Sequence, residues 1–381
     1  MRNALALVPI LLLPFVLRAA DEQPSPPKVA AALVNLKGPI PLKEALQQLR
    51  EQTGNAVADL RGRFGQEETN PTIALDLDKV PFWQAVDVLV AKANAQGAGI
   101  KLAPHLAADP KTRQRSPVVG IVGRDTLGPP PQQAPPVAYS GPFRVAVKRV
   151  AAVRDLENEA LSSLTLTLEI ACEPRFQPLL LTIEPGAIQA AGPDGQLRPA
   201  ERAAVRSLRL VGVYPAELTV RLPLPPRDTP ALAEFRMEFT ALVPPEMLTF
   251  TLPAVREGAE GARQGVRFTL SRFRPLRAGQ GVEWDLTADL TYPAGRLDLE
   301  SHQTWALENA VLVLRRKGGK AEWRPSGDPL VAIDEGGTIR LSCSFKSEIP
   351  EKPDDWELIA RAPAAPVKVP VAVSFRSLPL P

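Results

Sequence analysis

The 381-residue chain has very few of the residues that metal sites and nucleophilic catalysis require. It contains two Cys and two His, and aromatic residues make up 5% of it. His105 and His302 stand far apart, and neither has a second His or a Cys at the spacing of a zinc site. The sequence also lacks a glycine-rich phosphate loop, a nucleophile elbow and a His-Glu-x-x-His pattern. We therefore assign no catalytic, cofactor-binding or metal-binding residue, and we expect neither enzyme activity nor a cofactor.

An excess of charge of either sign is lacking too. The chain carries 45 Lys plus Arg against 42 Asp plus Glu. This balance creates no long-range field for phosphate, so we expect no nucleic-acid partner. Two local basic clusters are interpreted as solvated charge, and they comprise Lys111, Arg113 and Arg115, and Arg315, Arg316, Lys317 and Lys320.

Only one long apolar run occurs, and it lies at the N-terminus. Ala4–Leu17 follows Arg2 and precedes the small residue Ala20 and the polar Asp21, which is typical of a secretory signal. We predict a signal peptide at residues 1–20 and a periplasmic or extracellular location. An uncleaved anchor is the alternative, because the position three residues before the cut is not small. No later run approaches a membrane-spanning length, so we expect no transmembrane segment in the mature chain.

Convincing helical patterns occur only within residues 29–123. Two apolar stripes recur at helical spacing, each opened by a Pro and closed by a Gly. The stripes comprise Leu42, Ala45, Leu46 and Leu49, and Phe82, Ala85, Val86, Leu89 and Ala93, whereas Trp83 lies off the second stripe. Alternating stretches before and after each stripe indicate strands, giving a small α+β domain of βαββαβ-like order. We predict that Leu42, Leu46, Leu49, Val86 and Leu89 pack against a single sheet.

This segment resembles a known family. "GPIPLKEALQQLREQTGNAV" and "IALDLDKVPFWQAVDVLVAKANAQGAGIKL" are similar to the secretin and TonB N-terminus short domain, or STN domain. The positions that carry the resemblance are Pro41, Leu42, Ala45, Leu46, Thr53, Gly54, Leu75, Val80, Ala85, Leu89 and Ile100. The resemblance implies a module of the cell envelope that contacts partner proteins. It covers about a fifth of the chain, and no outer-membrane barrel, plug or secretin channel sequence follows it.

The remaining chain is predicted to be all-β. A Pro-rich stretch predicts an extended linker at 124–141, and beyond it the apolar period becomes two, as in "LTLTLEI" from Leu164 to Ile170. We place immunoglobulin-like β-sandwiches at 142–255 and 263–381, joined in tandem. One large fused sandwich is the alternative. The linker predicts few contacts, so we expect the N-terminal domain to be separable from the sandwiches.

An internal repeat supports the tandem arrangement. "FRVAVKRV" at Phe143–Val150 resembles "VRFTLSRF" at Val266–Phe273, 123 positions later. The repeat aligns Cys172 with Thr291 and Cys343 with Leu224, which places the two thiols in different cores. Since a disulfide requires Cα atoms within about 7 Å, we predict two buried and unpaired cysteines.

The best acidic constellation is Glu283, Asp285 and Asp289, which share one face of a predicted strand. Such carboxylates suit calcium or glycoside hydrolysis, but they also suit the wet face of an amphipathic strand, which we favour. The predicted function is therefore a non-catalytic binding or scaffold protein of the cell envelope, whose N-terminal module docks a protein partner. A carbohydrate-active hydrolase that uses strand-face carboxylates is the alternative.

Overall fold

The computed structural model describes residues 29–108, 115–124, 135–200, 205–210, 212–278, 281–293, 311–319, 322–327, 329–333, 338–346 and 355–381. The predicted signal segment, 1–20, lies outside these residues. Of the described residues 58% are in strands and 11% in helices, so the fold is mostly β, as predicted. Neither α-helix in these ranges has the length and the apolar character needed to cross a membrane.

The N-terminal unit, residues 29–124, alternates strands with two helices. In chain order it contains β1 (Leu33–Pro41), α1 (Leu42–Thr53), β2 (Val57–Asp59), β3 (Thr72–Pro81), α2 (Phe82–Ala95), β4 (Ile100–Ala108) and β5 (Arg115–Gly123). Each helix begins directly after a proline, whose fixed φ suits the position. The first helix is followed by Gly54 in the left-handed conformation, at φ 68°.

The two helices contact two sheets and not one. β1 pairs with β3 in a two-stranded antiparallel sheet, and the order of the other sheet is β2-β5-β4. Both helices contact strands of both sheets. The five predicted core residues are all buried, but the prediction of a single sheet is wrong. The physical reason is that the strands flanking each helix in the chain, β1 and β2 around α1 and β3 and β4 around α2, belong to different sheets, so each helix packs against both.

The first β unit comprises residues 135–243 together with 367–381. Its strands in chain order are β6 (Val137–Ser140), β7 (Phe143–Val153), β8 (Ser163–Cys172), β9 (Leu180–Ile183), β10 (Ile188–Ala191), β11 (Leu197–Pro199), β12 (Arg206–Arg209), β13 (Ala216–Leu222) and β14 (Ala231–Val243). One sheet has the order β13-β8-β7-β6, and the other contains β11, β10, β14, β9 and β12. Buried residues of both sheets form one core.

The second β unit comprises residues 247–363. Its strands are β15 (Met247–Leu252), β16 (Glu260–Arg263), β17 (Val266–Ala278), β18 (Gly281–Thr291), β19 (Val311–Arg316), β20 (Glu322–Trp323), β21 (Leu330–Ile333), β22 (Thr338–Lys346) and β23 (Trp356–Pro363). The sheet orders are β15-β23-β19-β20 and β16-β17-β18-β22-β21. This unit has its own hydrophobic core.

The last strand, β24 (Val367–Pro379), returns to the first β unit. It pairs with β14 along its whole length, from Val243 opposite Val367 to Ala231 opposite Pro379. Beyond Val243 the same two chain segments continue as the pair β15 and β23. The backbone N–H of Ala364 donates to the carbonyl of Glu246 at 2.9 Å between the two pairs. A two-stranded ribbon therefore joins the two β units.

This pairing corrects the predicted boundaries, 142–255 and 263–381. β15 belongs to the second unit and β24 to the first, so each boundary is displaced by one strand. In the second unit β23 pairs with β15, a strand that precedes it in the chain. In the first unit β14 pairs in the same way with β24, which follows it in the chain.

The predicted linker, 124–141, also needs correction at its end. β6 forms an antiparallel hairpin with β7, in which Ser140 lies opposite Phe143. Residues 125–134 of the predicted linker lie outside the described ranges. The expectation of few contacts is wrong as well, because the N-terminal unit shares an interface with the first β unit, as shown below.

Strand register allows the two β units to be compared position by position. The pairing of β7 with β8 is irregular between Val147 and Arg149, and that of β17 with β18 between Leu270 and Arg272, again 123 positions later. The pairs Leu166–Val220 and Leu286–Cys343 occupy equivalent places. Cys343 therefore corresponds to Val220 and not to Leu224, and by the same register Cys172 corresponds to Tyr292 and not to Thr291.

Both cysteines are unpaired and buried, as predicted. Burial raises the pKa of both thiols, that of Cys343 to about 12. We expect iodoacetamide to add two adducts to the denatured chain without reductant, but to react slowly with the native chain at pH 8, because little thiolate forms. Intact-mass spectrometry measures both results. A denatured chain that takes up no adduct would contradict the prediction.

Candidate functional site

The acidic row on β18 is engaged by neighbouring strands. The Asp289 carboxylate accepts from Arg340 Nε on β22 at 2.8 Å and from Ser271 Oγ on β17. Asp285 Oδ2 lies 3.2 Å from Arg272 Nε. Burial works to raise the pKa of Asp289, but the hydrogen bonds from Arg340 and Ser271 outweigh it and lower that pKa. The row thus forms a cross-strand charge ladder, as the wet-face interpretation predicts, and the described residues contain no cluster of three or more metal-binding side chains.

The other polar residues discussed from the sequence remain dispersed. His105 lies on β4, where its Nδ1 is 2.9 Å from the carbonyl of Ala103. His302, Lys111, Arg113 and Lys320 lie outside the described residues. In the second basic cluster, Arg315 Nε donates to Glu357 Oε1 at 2.6 Å. The structure therefore assembles no site from these residues in the ranges it describes.

The most extensive polar cluster that sequence reasoning missed joins the N-terminal unit to the first β unit. Arg144 on β7 and Ala171 on β8 are paired neighbours that point outward from their sheet. Ala171 is nevertheless fully buried within the core of the N-terminal unit, and only 6% of Arg144 is exposed. The side of α2 that carries Trp83 covers this face, and Trp83 Nε1 donates to the carbonyl of Pro142 at 3.1 Å.

An ion pair between the buried Arg144 and the partly exposed Asp87 lies at the centre of this interface. Arg144 donates from Nε and Nη2 to the two carboxylate oxygens of Asp87 on α2, at 2.8 and 3.1 Å. Tyr139 Oη donates to the same carboxylate at 2.6 Å, and Glu169 lies 3.4 Å from Arg144 Nη1. Burial works to lower the pKa of Arg144, but the carboxylates of Asp87 and Glu169 raise it above its ordinary value. Such a bidentate pair fixes geometry as well as charge.

A second network surrounds Glu173, which is completely buried just after β8. Its carboxylate accepts from the backbone N–H of Ala32 at 2.8 Å and from Asn55 Nδ2 at 3.0 Å, both in the N-terminal unit. Arg175 Nε donates to it at 2.7 Å, and Arg175 also donates to the carbonyl of Ala30. The two networks hold the N-terminal unit at two separate places, so its orientation on the first β unit is fixed.

Glu173 gives the interface a predictable pH dependence. Burial raises its pKa above the ordinary 4.5, more than the donors Asn55, Arg175 and Ala32 lower it. The folded chain therefore keeps this proton to a higher pH than the unfolded chain does. The resulting contribution to stability is complete below the unfolded pKa and is lost as pH rises through the folded pKa.

We expect Glu173→Gln to remove this contribution, so that its free energy of unfolding falls less than that of the wild type as the pH rises from 5 to 8. Urea unfolding at several pH values measures the difference between the two chains, in which the titration of other groups largely cancels. A difference that does not change with pH, or that changes in the opposite direction, would show that the pKa of Glu173 is not raised.

The connection between β2 and β3 also has a defined conformation, and it presents an aromatic side chain to solvent. A short 3-10 turn spans Gly62–Phe64, and 63% of the Phe64 side chain is exposed. The adjoining Arg61 is fully buried.

An open cavity of about 400 Å³ lies elsewhere, between the sheets of the first β unit, lined by polar residues that include Arg206 and by apolar ones such as Ile188.

Comparison with known proteins adds no family assignment. The chain matches no protein-family model and no curated protein sequence.

Proposed function

We propose that the chain is an exported, non-catalytic binding or scaffold protein of the cell envelope, whose STN-like N-terminal module docks a protein partner. The two β units serve as immunoglobulin-like spacers or as a second binding surface. The observation on which this proposal rests is the interface that fixes the N-terminal unit on the first β unit. This interface uses one side of α2 and leaves the polar face of α1 and the connection between β2 and β3 exposed.

Several observations support the details of this proposal. The residues that resemble the STN family include Leu42, Leu46 and Leu89, which are buried in the core of the N-terminal unit. Each β unit has two sheets over one core, and the repeated irregularity 123 positions apart supports two related units. The apolar run within residues 1–20 supports export to a periplasmic or extracellular location.

A rigid interface between the two units suits a scaffold because it fixes the direction in which the exposed faces of the N-terminal unit point. Two units joined only by a flexible chain would need to order before presenting a joint surface, and that ordering costs binding free energy. Here the buried networks at Asp87 and Glu173 make that ordering part of folding.

The test is co-purification of the chain from Asp21 onward, carrying an affinity tag, with envelope proteins of its source organism, followed by reconstitution from purified components. A defined protein that binds the purified chain directly supports the proposal. The matched chain with Asp285→Asn and Asp289→Asn should bind that protein equally well. Hydrolysis of a polysaccharide by the original chain, lost in the doubly substituted chain, would instead support the hydrolase.

A further inference from the structure

The connection between β2 and β3, residues 60–71, holds Phe64 in solvent although most of its neighbours are tied down. Phe64 stands on the 3-10 turn between Gly62 and Gly65, and the Gly65 N–H donates to the Gly62 carbonyl at 3.2 Å. Gly65 has φ 65°, which favours glycine and closes the turn. The turn directs the aromatic ring away from the core of the N-terminal unit.

Arg61 holds the two ends of this connection together. Its guanidinium donates from Nε and Nη2 to the two carboxylate oxygens of Asp59, at 3.0 and 2.7 Å. Nη2 also donates to the carbonyl of Thr69 at 2.8 Å, and Nη1 to Thr69 Oγ1 at 3.2 Å. Burial works to raise the pKa of Asp59, but the hydrogen bonds and charge of Arg61 lower it. The start and the end of the connection are thus fastened to one fully buried side chain.

Further side chains fix the rest of the connection between β2 and β3. Gln66 Oε1 accepts from the backbone N–H of Gly123 at 2.7 Å. On the other side, the backbone N–H of Lys43 donates to Asn70 Oδ1 at 2.9 Å, and Lys43 Nζ lies 2.5 Å from Glu68 Oε2. A buried ion pair does not by itself favour folding over an apolar replacement, but it does impose one geometry. Here the imposed geometry keeps an aromatic ring exposed in one position.

From this arrangement we infer that residues 60–71 are the docking element of the N-terminal unit and that Phe64 is the anchor, inserted into an apolar pocket of a protein partner. This inference rests on the proposed function and identifies its contact site. A ring held in place before binding loses little conformational freedom on insertion, and aromatic anchors of this kind dominate interface energetics. Arg63, exposed beside Phe64, favours a carboxylate at the rim of that pocket.

The charges on this connection favour a protein over a lipid surface. Arg63 and Glu67 are exposed and of opposite sign, and Glu68 is paired with Lys43, so the surface around Phe64 has no basic excess for anionic lipid. One aromatic side chain without such an excess is a weak membrane anchor.

Leu156 provides a matched comparison. It is 85% exposed on the connection between β7 and β8, where Asp155 Oδ1 accepts from the backbone N–H groups of Glu157 and Asn158. Leucine is under-represented among the residues that dominate interfaces, whereas large aromatic side chains are enriched. A general attraction to exposed apolar side chains would act on Leu156 at least as strongly as on Phe64.

The test begins with the photoreactive amino acid p-benzoylphenylalanine at position 64 or at position 156 of the full chain, expressed in its source organism and irradiated. We expect a discrete protein adduct from position 64 that position 156 does not give. The adducted protein is identified by mass spectrometry, purified and titrated against the unmodified chain. Phe64→Ser is expected to weaken binding about 30-fold, and Leu156→Ser less than twofold. Thermal unfolding of both variants checks that the exposed substitutions leave the fold intact.

Different failures identify different errors. If the co-purified partner binds the Phe64→Ser variant as tightly as the original chain, the proposed function stands and the docking element is wrong. An adduct with lipid or with a second copy of the chain, or equal adducts from both positions, would also overturn the inference. If no protein binds the chain in either experiment, the proposed function itself fails.

Discussion

Ending the chain at Ala365 is expected to unfold the first β unit and to leave the second folded. The deletion removes β24, which pairs with β14 along its length and contributes Val371, Val373, Phe375 and Leu378 to the first core. Burial of each such side chain is worth about 1.5–3 kcal/mol, so the four together approach the whole stability of a domain, about 5–15 kcal/mol. Hydrogen exchange with mass spectrometry should show lost protection over 137–243 and retained protection over 247–363.

Single substitutions give a finer form of the same test. Phe375→Ala should lower the free energy of unfolding of the first β unit by about 3–5 kcal/mol. Phe345→Ala, at an equally buried position on β22, is the matched control and should act on the second unit. If Phe375→Ala reduced protection mainly in the second unit, the strand assignment would be wrong.

Arg144→Met is expected to lower the free energy of unfolding by about 1.5–3 kcal/mol, because the carboxylate of Asp87 loses two charge-assisted hydrogen bonds from a buried guanidinium. The Arg144 side chain is 7% exposed and the Asp87 side chain 23%, so water replaces the lost hydrogen bonds only in part. Urea unfolding measures the loss, and limited proteolysis should show earlier cleavage between the N-terminal unit and the first β unit.

Two further variants separate the ion pair from general packing. The double variant Arg144→Met with Asp87→Leu removes both charges and should recover part of the loss, and together with the Asp87→Leu single variant it gives a coupling energy for the pair. Arg340→Ala breaks a partly exposed pair with Asp289, in which the two side chains are 56% and 15% exposed, and since Ser271 still donates to Asp289 it should cost less than about 1 kcal/mol. Equal losses from Arg144→Met and Arg340→Ala would show that the Arg144 pair is no more important than a surface pair.

Sequence patterns were informative wherever a residue's partner follows from local periodicity. The stripes of both helices, the alternation from Leu164 to Ile170, and the unpaired cysteines depend on which face of an element is apolar, and all are buried as predicted. The sequence also places Trp83 outside the apolar stripe of α2. A bulky aromatic side chain in that position needs a second surface to cover it. That surface could not be named, since nothing local distinguishes a covered face from a wet one.

The two β units show why the interface was missed. Arg144 and Ala171 correspond by register to Arg267 and Thr291 in the second unit, where the Arg267 side chain is 63% exposed. Both arginines point outward from similar strands, and only the small alanine indicates that something approaches closely. The acidic row on β18 is paired with arginines of neighbouring strands, an arrangement that ordinary strand amphipathicity predicts.

The return of the C-terminal strand has a consequence for biosynthesis. Phe235 lies opposite Phe375, so the central strand of the first β unit receives this partner only after the whole second unit and β24 have been synthesised. The strands of the second β unit come from one continuous stretch, 247–363, and its core extends only to Ala365, so it does not need β24. We therefore expect maturation to run against the direction of translation, with the earlier-made unit closing last. Until then the edge of β14 is open to strands of other chains, so a nascent or truncated molecule is a client for chaperones.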